Sequence, residues 1–340
     1  MIMVKRVAWL VALVASLFLV ACGDEGEKPG ETGPPVPGTI VFDSFRDGSY
    51  EIYAMNTDGS AQTRITNDGT WNRDPSCSPD GAKIAFTSYR DGNTEVYVMN
   101  ADGSVQVNIT QNGGGSNQPY IEQNLDGDDG AAAWSPDGTN IAFGSVRPGT
   151  VEFPRSGSEI YLMNADGTGQ TRFTAAGTAG PAAWSPDGSK LAFVNSYGSY
   201  ELHVVEATAD QGPLGFEALP ESKVIQSKGP GATAWSPDGT KIAFSSLRLD
   251  KELDTRDQFR HYEIYVVNVD GTGLTNLTDN DYADYAPTWS PDGSSIAFAS
   301  RRHGKENPEI YVMNADGSGK RRLTDNDSRD ENPHWCPAVE

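Results

Sequence analysis

Short apolar runs, each bounded by Asn, Asp, Gly, Pro or Ser, recur along the chain from residue 39 onward. Ile-Ala-Phe begins at 84, 141, 242 and 296, with Ile40-Val41-Phe42 and Leu191-Ala192-Phe193 as variants. A second run follows each one: Glu51-Ile52-Tyr53, Glu95-Val96-Tyr97, Glu159-Ile160-Tyr161, Glu201-Leu202-His203, Glu263-Ile264-Tyr265 and Glu309-Ile310-Tyr311. Runs this short, rich in β-branched and aromatic residues, read as strands. Ser-Pro-Asp-Gly begins at 78, 135, 185, 236 and 290, preceded by Cys77 or by Trp134, Trp184, Trp235 and Trp289. Its Pro pre-sets φ and its Gly accepts a left-handed conformation, so it predicts a tight hairpin between a Trp-bearing strand and the Ile-Ala-Phe strand. Asn-x-Asp-Gly does the same after five of the six Glu-led runs. Short segments such as Thr63-Arg64-Ile65-Thr66 and Arg321-Arg322-Leu323-Thr324 close the units.

Each unit of about 50 residues therefore holds four strands with apolar residues on both faces, and both faces need cover. Stacking the units around an axis supplies that cover, which predicts an all-β, six-bladed β-propeller of four-stranded antiparallel blades. The first unit (39–66) lacks a Trp-bearing strand, and Pro333-His334-Trp335-Cys336 is such a strand with nothing after it. The C-terminal strand is thus expected to pair with the N-terminal blade and close the ring. The Trp residues are expected to fill the spaces between blades, the most buried area any side chain supplies.

Trp-Ser-Pro-Asp-Gly-x-x-Ile-Ala-Phe, then Glu-Ile-Tyr-Val-Met-Asn, then Leu-Thr, resembles the repeat of TolB-like propellers across 39–340. The resemblance implies the fold. TolB-type proteins carry an α/β domain before the propeller, and no segment for it stands between Cys22 and Thr39. Propellers of this type also accompany hydrolase domains in some peptidases, but no Gly-x-Ser-x-Gly elbow occurs here. The chain is similar to the propeller alone.

Residues 1–21 read as a lipoprotein signal peptide: Lys5 and Arg6 precede an apolar run from Val7 to Val20. Leu19-Val20-Ala21-Cys22 resembles a bacterial lipobox, with Cys22 as the lipidation site. Residues 22–38, rich in Gly, Pro and Glu, form a flexible tether. The propeller is expected at the cell envelope, lipid-anchored to a bacterial membrane on its periplasmic or cell-surface side. The formal net charge of −21 disfavours nucleic acid, whose phosphates need Lys and Arg. It favours a protein or basic peptide segment as partner, and a monomer is expected.

Turns at Ser-Pro-Asp-Gly and Asn-x-Asp-Gly share one face, called here the turn face. The opposite loop face carries the longer connections 111–130, 147–158 and 248–262, with 207–221 as an exception on the turn face. Variable loops on a rigid scaffold carry binding. Five residues before the Trp or Cys position stand Asn72, Asp129, Asp284 and Asp330, expected to ring the channel mouth beside Trp71, Tyr120, Tyr282 and Tyr285. Acids steer a basic segment and aromatics anchor it.

No catalytic residues and no cofactor are expected. Asp126 and Asp128 suggest a calcium loop, yet the position six beyond Gly130 is Pro136 rather than an acid. His203 stands where other blades have Tyr and reads as a packing substitute. Arg46, Arg90, Arg147, Arg248 and Arg301 are expected to pair with the Glu of the Glu-Ile-Tyr runs. Cys77 and Cys336 are offset by one position relative to the Trp site, which argues against a bond between them. The function expected is a non-enzymatic envelope scaffold that binds protein or peptide. The alternative is an extracellular glycan-binding or glycan-processing propeller that stacks sugars on Trp71, Tyr282 and Tyr285.

Overall fold

A computed structural model of the protein describes residues 38–111, 129–146, 159–174, 180–195, 200–207, 223–229, 231–249, 261–304 and 306–338. Its first strands are β1 (Thr39–Ser44), β2 (Glu51–Asn56) and β3 (Thr63–Arg64), then β4 (Asn72–Cys77), β5 (Lys83–Ser88), β6 (Glu95–Asn100) and β7 (Val107–Asn108). Next come β8 (Asp129–Trp134), β9 (Asn140–Ser145), β10 (Glu159–Asn164), β11 (Thr171–Arg172), β12 (Ala183–Trp184), β13 (Lys190–Asn195), β14 (Glu201–Glu206) and β15 (Lys223–Gln226). The chain continues through β16 (Thr233–Trp235), β17 (Lys241–Leu247), β18 (Tyr262–Asn268) and β19 (Thr275–Asn276). It ends with β20 (Asp284–Trp289), β21 (Ser295–Ser300), β22 (Glu309–Asn314), β23 (Arg321–Arg322) and β24 (Asp330–Cys336).

These form six four-stranded antiparallel sheets: β24-β1-β2-β3 is blade 1, and five sheets of consecutive strands are blades 2 to 6. β24 pairs with β1 in the register Thr39↔Cys336, Ile40↔Trp335 and Val41↔His334, so the last strand completes the first blade. The sequence expectation of a six-bladed propeller closed at its C-terminus holds. Among the described residues no helix is long and apolar enough to cross a membrane. The leader, Cys22 and most of the tether lie outside the described residues.

The repeated motif explains itself locally. In the turn at Ser78, Gly81 N–H donates to Ser78 O (2.9 Å), while Ser78 Oγ accepts from Lys83 N–H (2.9 Å) and donates to Asp80 (2.5 Å). The same set recurs at Ser135, Ser185, Ser236 and Ser290. The Asn-x-Asp-Gly glycine interlocks neighbouring blades. A Cβ on Gly103, at φ 85°, would meet Ile65 O of blade 1 at 2.6 Å, so only Gly fits.

The core is six clusters, each shared by two consecutive blades. Each Trp points toward the preceding blade: Trp134 Nε1 donates to Ser76 O (3.2 Å), Trp184 to Ala133 O (3.1 Å) and Trp235 to Ala183 O (3.1 Å). Facing pairs Phe42/Tyr53, Phe86/Tyr97 and Phe298/Tyr311 pack as tilted rings within the blades. His203, fully buried and 5.7 Å from Phe193 between ring centroids, takes the Tyr position of that series.

The expectation for the cysteines is corrected, because Cys77 and Cys336 form a disulfide across 259 residues. Side chains alternate along a strand. Trp335 enters the cluster between blades 6 and 1, so Cys336, one residue on, enters the cluster between blades 1 and 2. Cys77, in the Trp position of blade 2, points back toward blade 1. The one-residue offset is what brings the two sulfurs together.

Candidate functional site

The first strand of four blades contains a bulge. Register shifts fall between Arg73 and Ser76, Gly130 and Ala133, Tyr285 and Thr288, and in the β24–β1 pair. At each bulge one non-glycine residue takes a left-handed conformation: Asp74 (φ 52°), Ala131 (51°), Ala286 (53°) and Asn332 (49°). Such residues cost about 1–3 kcal/mol and persist only where the surroundings enforce them. Here all four line one cavity of the channel, and Asp74 and Ala131 border a second.

One cavity, of about 390 Å³, lies toward the turn face, walled by first-strand residues including Cys77, Trp134, Ala183 and His334. The other, of about 260 Å³, lies toward the loop face, walled by Trp71, Arg73, Tyr89, Gly130, Val146 and Gly180 among others. Asp74, Ala131 and Pro181 border both.

Between blades 1 and 2 the wall becomes polar. Asn332 Nδ2 donates to Asp43 Oδ1 (3.0 Å) and to Asp74 Oδ1 (2.9 Å). Arg73 donates through Nη2 to Glu331 Oε2 (3.0 Å) and through Nε to Asp43 Oδ2 (3.4 Å). Its guanidinium lies 4.3 Å from the Tyr50 ring centroid. Tyr50 and Tyr285 both donate their hydroxyls to Glu331, at 3.1 and 2.6 Å. Trp71 packs edge-on to Tyr50, with centroids 5.9 Å apart. Burial pushes the Asp43 carboxyl up to about 7, Arg73 pulling it down while Asp74 and Glu331 push it further up. The Asp74 carboxyl is raised as well, again chiefly by burial.

A family model described as the TolB beta propeller domain (PD40) matches residues 33–128 and 220–340. The chain belongs to this family. Among solved structures, TolB from Acinetobacter baumannii has a TM-score of 0.65 at 20% identity, over 88% of this chain and 67% of that one. The putative TolB from Agrobacterium tumefaciens has a TM-score of 0.59 at 20% identity, over 90% of this chain and 100% of that one. At that identity the likeness is one of fold.

Among curated proteins, the chain is 35% identical over 71 residues to Dipeptidyl-peptidase 5 of Porphyromonas gingivalis, 21% of this chain and 10% of that protein. It is 40% identical over 62 residues to the uncharacterized peptidase YuxL of Bacillus subtilis, 18% of this chain and 8% of that one. The matches span a tenth or less of these relatives.

Within this TolB-type propeller, the residues expected to ring the channel mouth are buried, and Asp129 among them lines the loop-face cavity. Asn72, Asp129, Asp284 and Asp330 have no exposed surface. Each begins the innermost strand, beneath the loops. Asp330 pairs with Arg46 (2.8 Å) and accepts from Asn326 (2.6 Å), and Asp284 pairs with Arg302 (3.2 Å) and accepts from Asn280 (2.6 Å). Asn72 donates to Glu51 (3.0 Å) and accepts from Arg90 (3.3 Å). Of the aromatics, Trp71 lines the loop-face cavity, Tyr285 joins the polar wall through Glu331, and Tyr282 is exposed. Tyr120, Asp126 and Asp128 lie outside the described residues, as does Arg147.

The expected Arg–Glu ladder is also corrected. Arg46, Arg90 and Arg302 each donate Nε to the serine two residues earlier and lie 4.4–4.6 Å over Tyr53, Tyr97 and Tyr311. Blade 6 therefore uses Arg302, and Arg301 instead lies over Tyr285. Among the described members of the expected set, Arg248 alone approaches its Glu, at 3.8 Å from Glu263. The Glu side chains are met mainly by threonine: Thr66, Thr110, Thr174, Thr278 and Thr324 donate to Glu51, Glu95, Glu159, Glu263 and Glu309. Each hydroxyl also accepts from the N–H of the residue that follows the Glu, as Ile310 to Thr324 (2.9 Å).

Sequence reasoning missed Asp43, Arg73, Asp74, Glu331 and Asn332. The signal was departure from the repeat. Where blade 1 has Asp43, the others have Thr87, Gly144, Val194, Ser245 and Ala299, and the Asp74 and Asn332 positions elsewhere hold Ala or Pro.

Proposed function

We propose that this propeller is a non-enzymatic scaffold that captures a protein or basic peptide segment at the loop-face mouth of its channel. Acylated Cys22 holds it to a bacterial membrane at the cell envelope, with residues 23–38 as spacer. One observation carries this reading: Trp71, Arg73 and Tyr89 share a cavity of about 260 Å³ with Asp74 at its floor. Large aromatics beside a partly enclosed polar group make the anchor pockets in which interface energy concentrates. The net charge of −21 steers basic segments toward such a pocket. The partner-facing set becomes Trp71, Tyr89, Asp74, Asp129 and Tyr282, while Asn72, Asp284 and Asp330 hold the loops that frame it.

The test is affinity capture from envelope extract with the wild type and a Trp71→Ala/Tyr89→Ala variant. Hot-spot truncations cost about 2 kcal/mol or more, so retained partner should fall at least about 30-fold while the circular dichroism spectrum stays unchanged. Equal retention by both proteins contradicts the reading. Retention of a glycan in place of a protein moves the surface to the glycan-binding alternative.

A further inference from the structure

Three positions in blades 1 and 2 depart from the first-strand repeat. Trp is replaced by Cys77, the Ser after Trp is replaced by Cys336, and the residue before Trp becomes His334. That last position holds Ser76, Ala133, Ala183, Ala234 or Thr288 elsewhere, all small. The departures sit on two strands far apart in the sequence, β4 and β24. Yet one donor atom from each lies within 4.8 Å of the other two, and among the described residues this is the one such group. Cys77 and His334 also line the turn-face cavity of about 390 Å³. Three exchanges, two from packing residues and one from the turn serine, each to a soft-metal ligand, converge on one point of the molecule.

We propose that reduction converts the Cys77–Cys336 disulfide, with His334, into a binding site for a thiophilic metal ion of the Zn²⁺ class, open to the turn-face cavity. A dithiol reductant supplies two electrons and two protons, becoming a disulfide itself, and leaves two thiols on the chain. Metal binding expels both thiol protons as two thiolates and one imidazole nitrogen coordinate, and water from the cavity fills the fourth position. Tetrahedral Zn–S bonds of about 2.3 Å and Zn–N of about 2.0 Å set donors roughly 3.5–3.8 Å apart; the three donors lie within 4.8 Å of one another, and the two sulfurs, bonded in the oxidised protein, have to part to reach that span on reduction. Thiolate and imidazole together select Zn²⁺-like ions over the oxygen-seeking Ca²⁺ and Mg²⁺. His334 Nδ1 accepts from Cys77 N–H (3.4 Å), which ties the ring to the strand carrying the first sulfur. The β24–β1 ladder runs from Asp330 to Cys336 and holds the ring when the sulfurs part.

The experiment uses the full chain in a Cys22→Ser background, so that only two thiols remain. Protein is reduced, stripped of reductant under anaerobic conditions, and titrated with Co²⁺ as optical probe and then Zn²⁺ as competitor. Expected is one equivalent of Co²⁺ with a thiolate-to-metal charge-transfer band, displaced by Zn²⁺, and no such band in oxidised protein. Cys77→Ser should abolish the band, and His334→Ala, which keeps both thiols, should weaken binding by at least about 10-fold. The proposal is overturned by equal binding in both redox states, by binding that His334→Ala leaves unchanged, or by no binding in reduced protein. Loss of the propeller's circular dichroism spectrum on reduction overturns it too, since the site needs the closed ring.

Discussion

Thr324 satisfies two buried groups with one hydroxyl, donating to Glu309 (2.5 Å) and accepting from Ile310 N–H (2.9 Å). Thr324→Val leaves a carboxyl and a backbone N–H without that partner, which costs about 1–3 kcal/mol each when such groups stay buried. The loss should be larger at pH 8 than at pH 5, because Glu309, already pushed up to about 7 by burial, is charged only at the higher pH. Denaturant unfolding at the two pH values checks this; equal losses would mean Thr324 acts only through packing. The same chemistry sets a wider pH profile. Asp43, Glu263 and Glu309 are each raised by burial to about 7. The native state therefore holds protons that the unfolded chain has released between about pH 4 and 7, and stability falls as pH rises through that window. His334, depressed to about 4, works the other way but alone. Turn aspartates such as Asp80, Asp187 and Asp238 are lowered by hydrogen bonds from Ser78, Ser185 and Ser236, so their contribution is lost below about pH 4. Thermal melts should peak near pH 4–5, and a midpoint that climbs steadily to pH 8 would refute this balance.

At the scale of the strand, β24 carries both closures of the ring, a ladder to β1 and a disulfide to β4. Cys77→Ser should lower unfolding free energy by about 2–5 kcal/mol, read from urea transitions with and without reductant. Reductant should shift the wild type to the variant's midpoint and leave the variant unmoved. Most of this level was legible in the repeats: strand order, turns, blade count and the closing strand all follow from Trp-Ser-Pro-Asp-Gly and its partners. Two features were not. Counting back from Trp289 placed Asp284 at the mouth, but a bulge at Ala286 and the pairing with Arg302 turn it inward. The Cys offset argued against a bond only while side-chain alternation on β24 was ignored. Cross-strand partners and bulges depend on contacts between distant residues, which no spacing within one unit reports. The polar wall at Asp43 and Asp74 was visible only as an exception to the repeat.

For the whole molecule, the two faces differ in how closely they keep the repeat. The turn face repeats the same Ser-Pro-Asp-Gly hydrogen bonds in five blades, whereas the loop face breaks the repeat with Trp71, Arg73 and Tyr89 around one cavity. The proposed scaffold role depends on that asymmetry. Its most direct measurement is photo-crosslinking from benzoylphenylalanine placed at Tyr89 on the loop face or at Val105 on the turn face, where the side chain is 69% exposed. The account predicts a discrete covalent adduct with an envelope protein from position 89 and none from position 105. An adduct from position 105 with none from position 89 would contradict it.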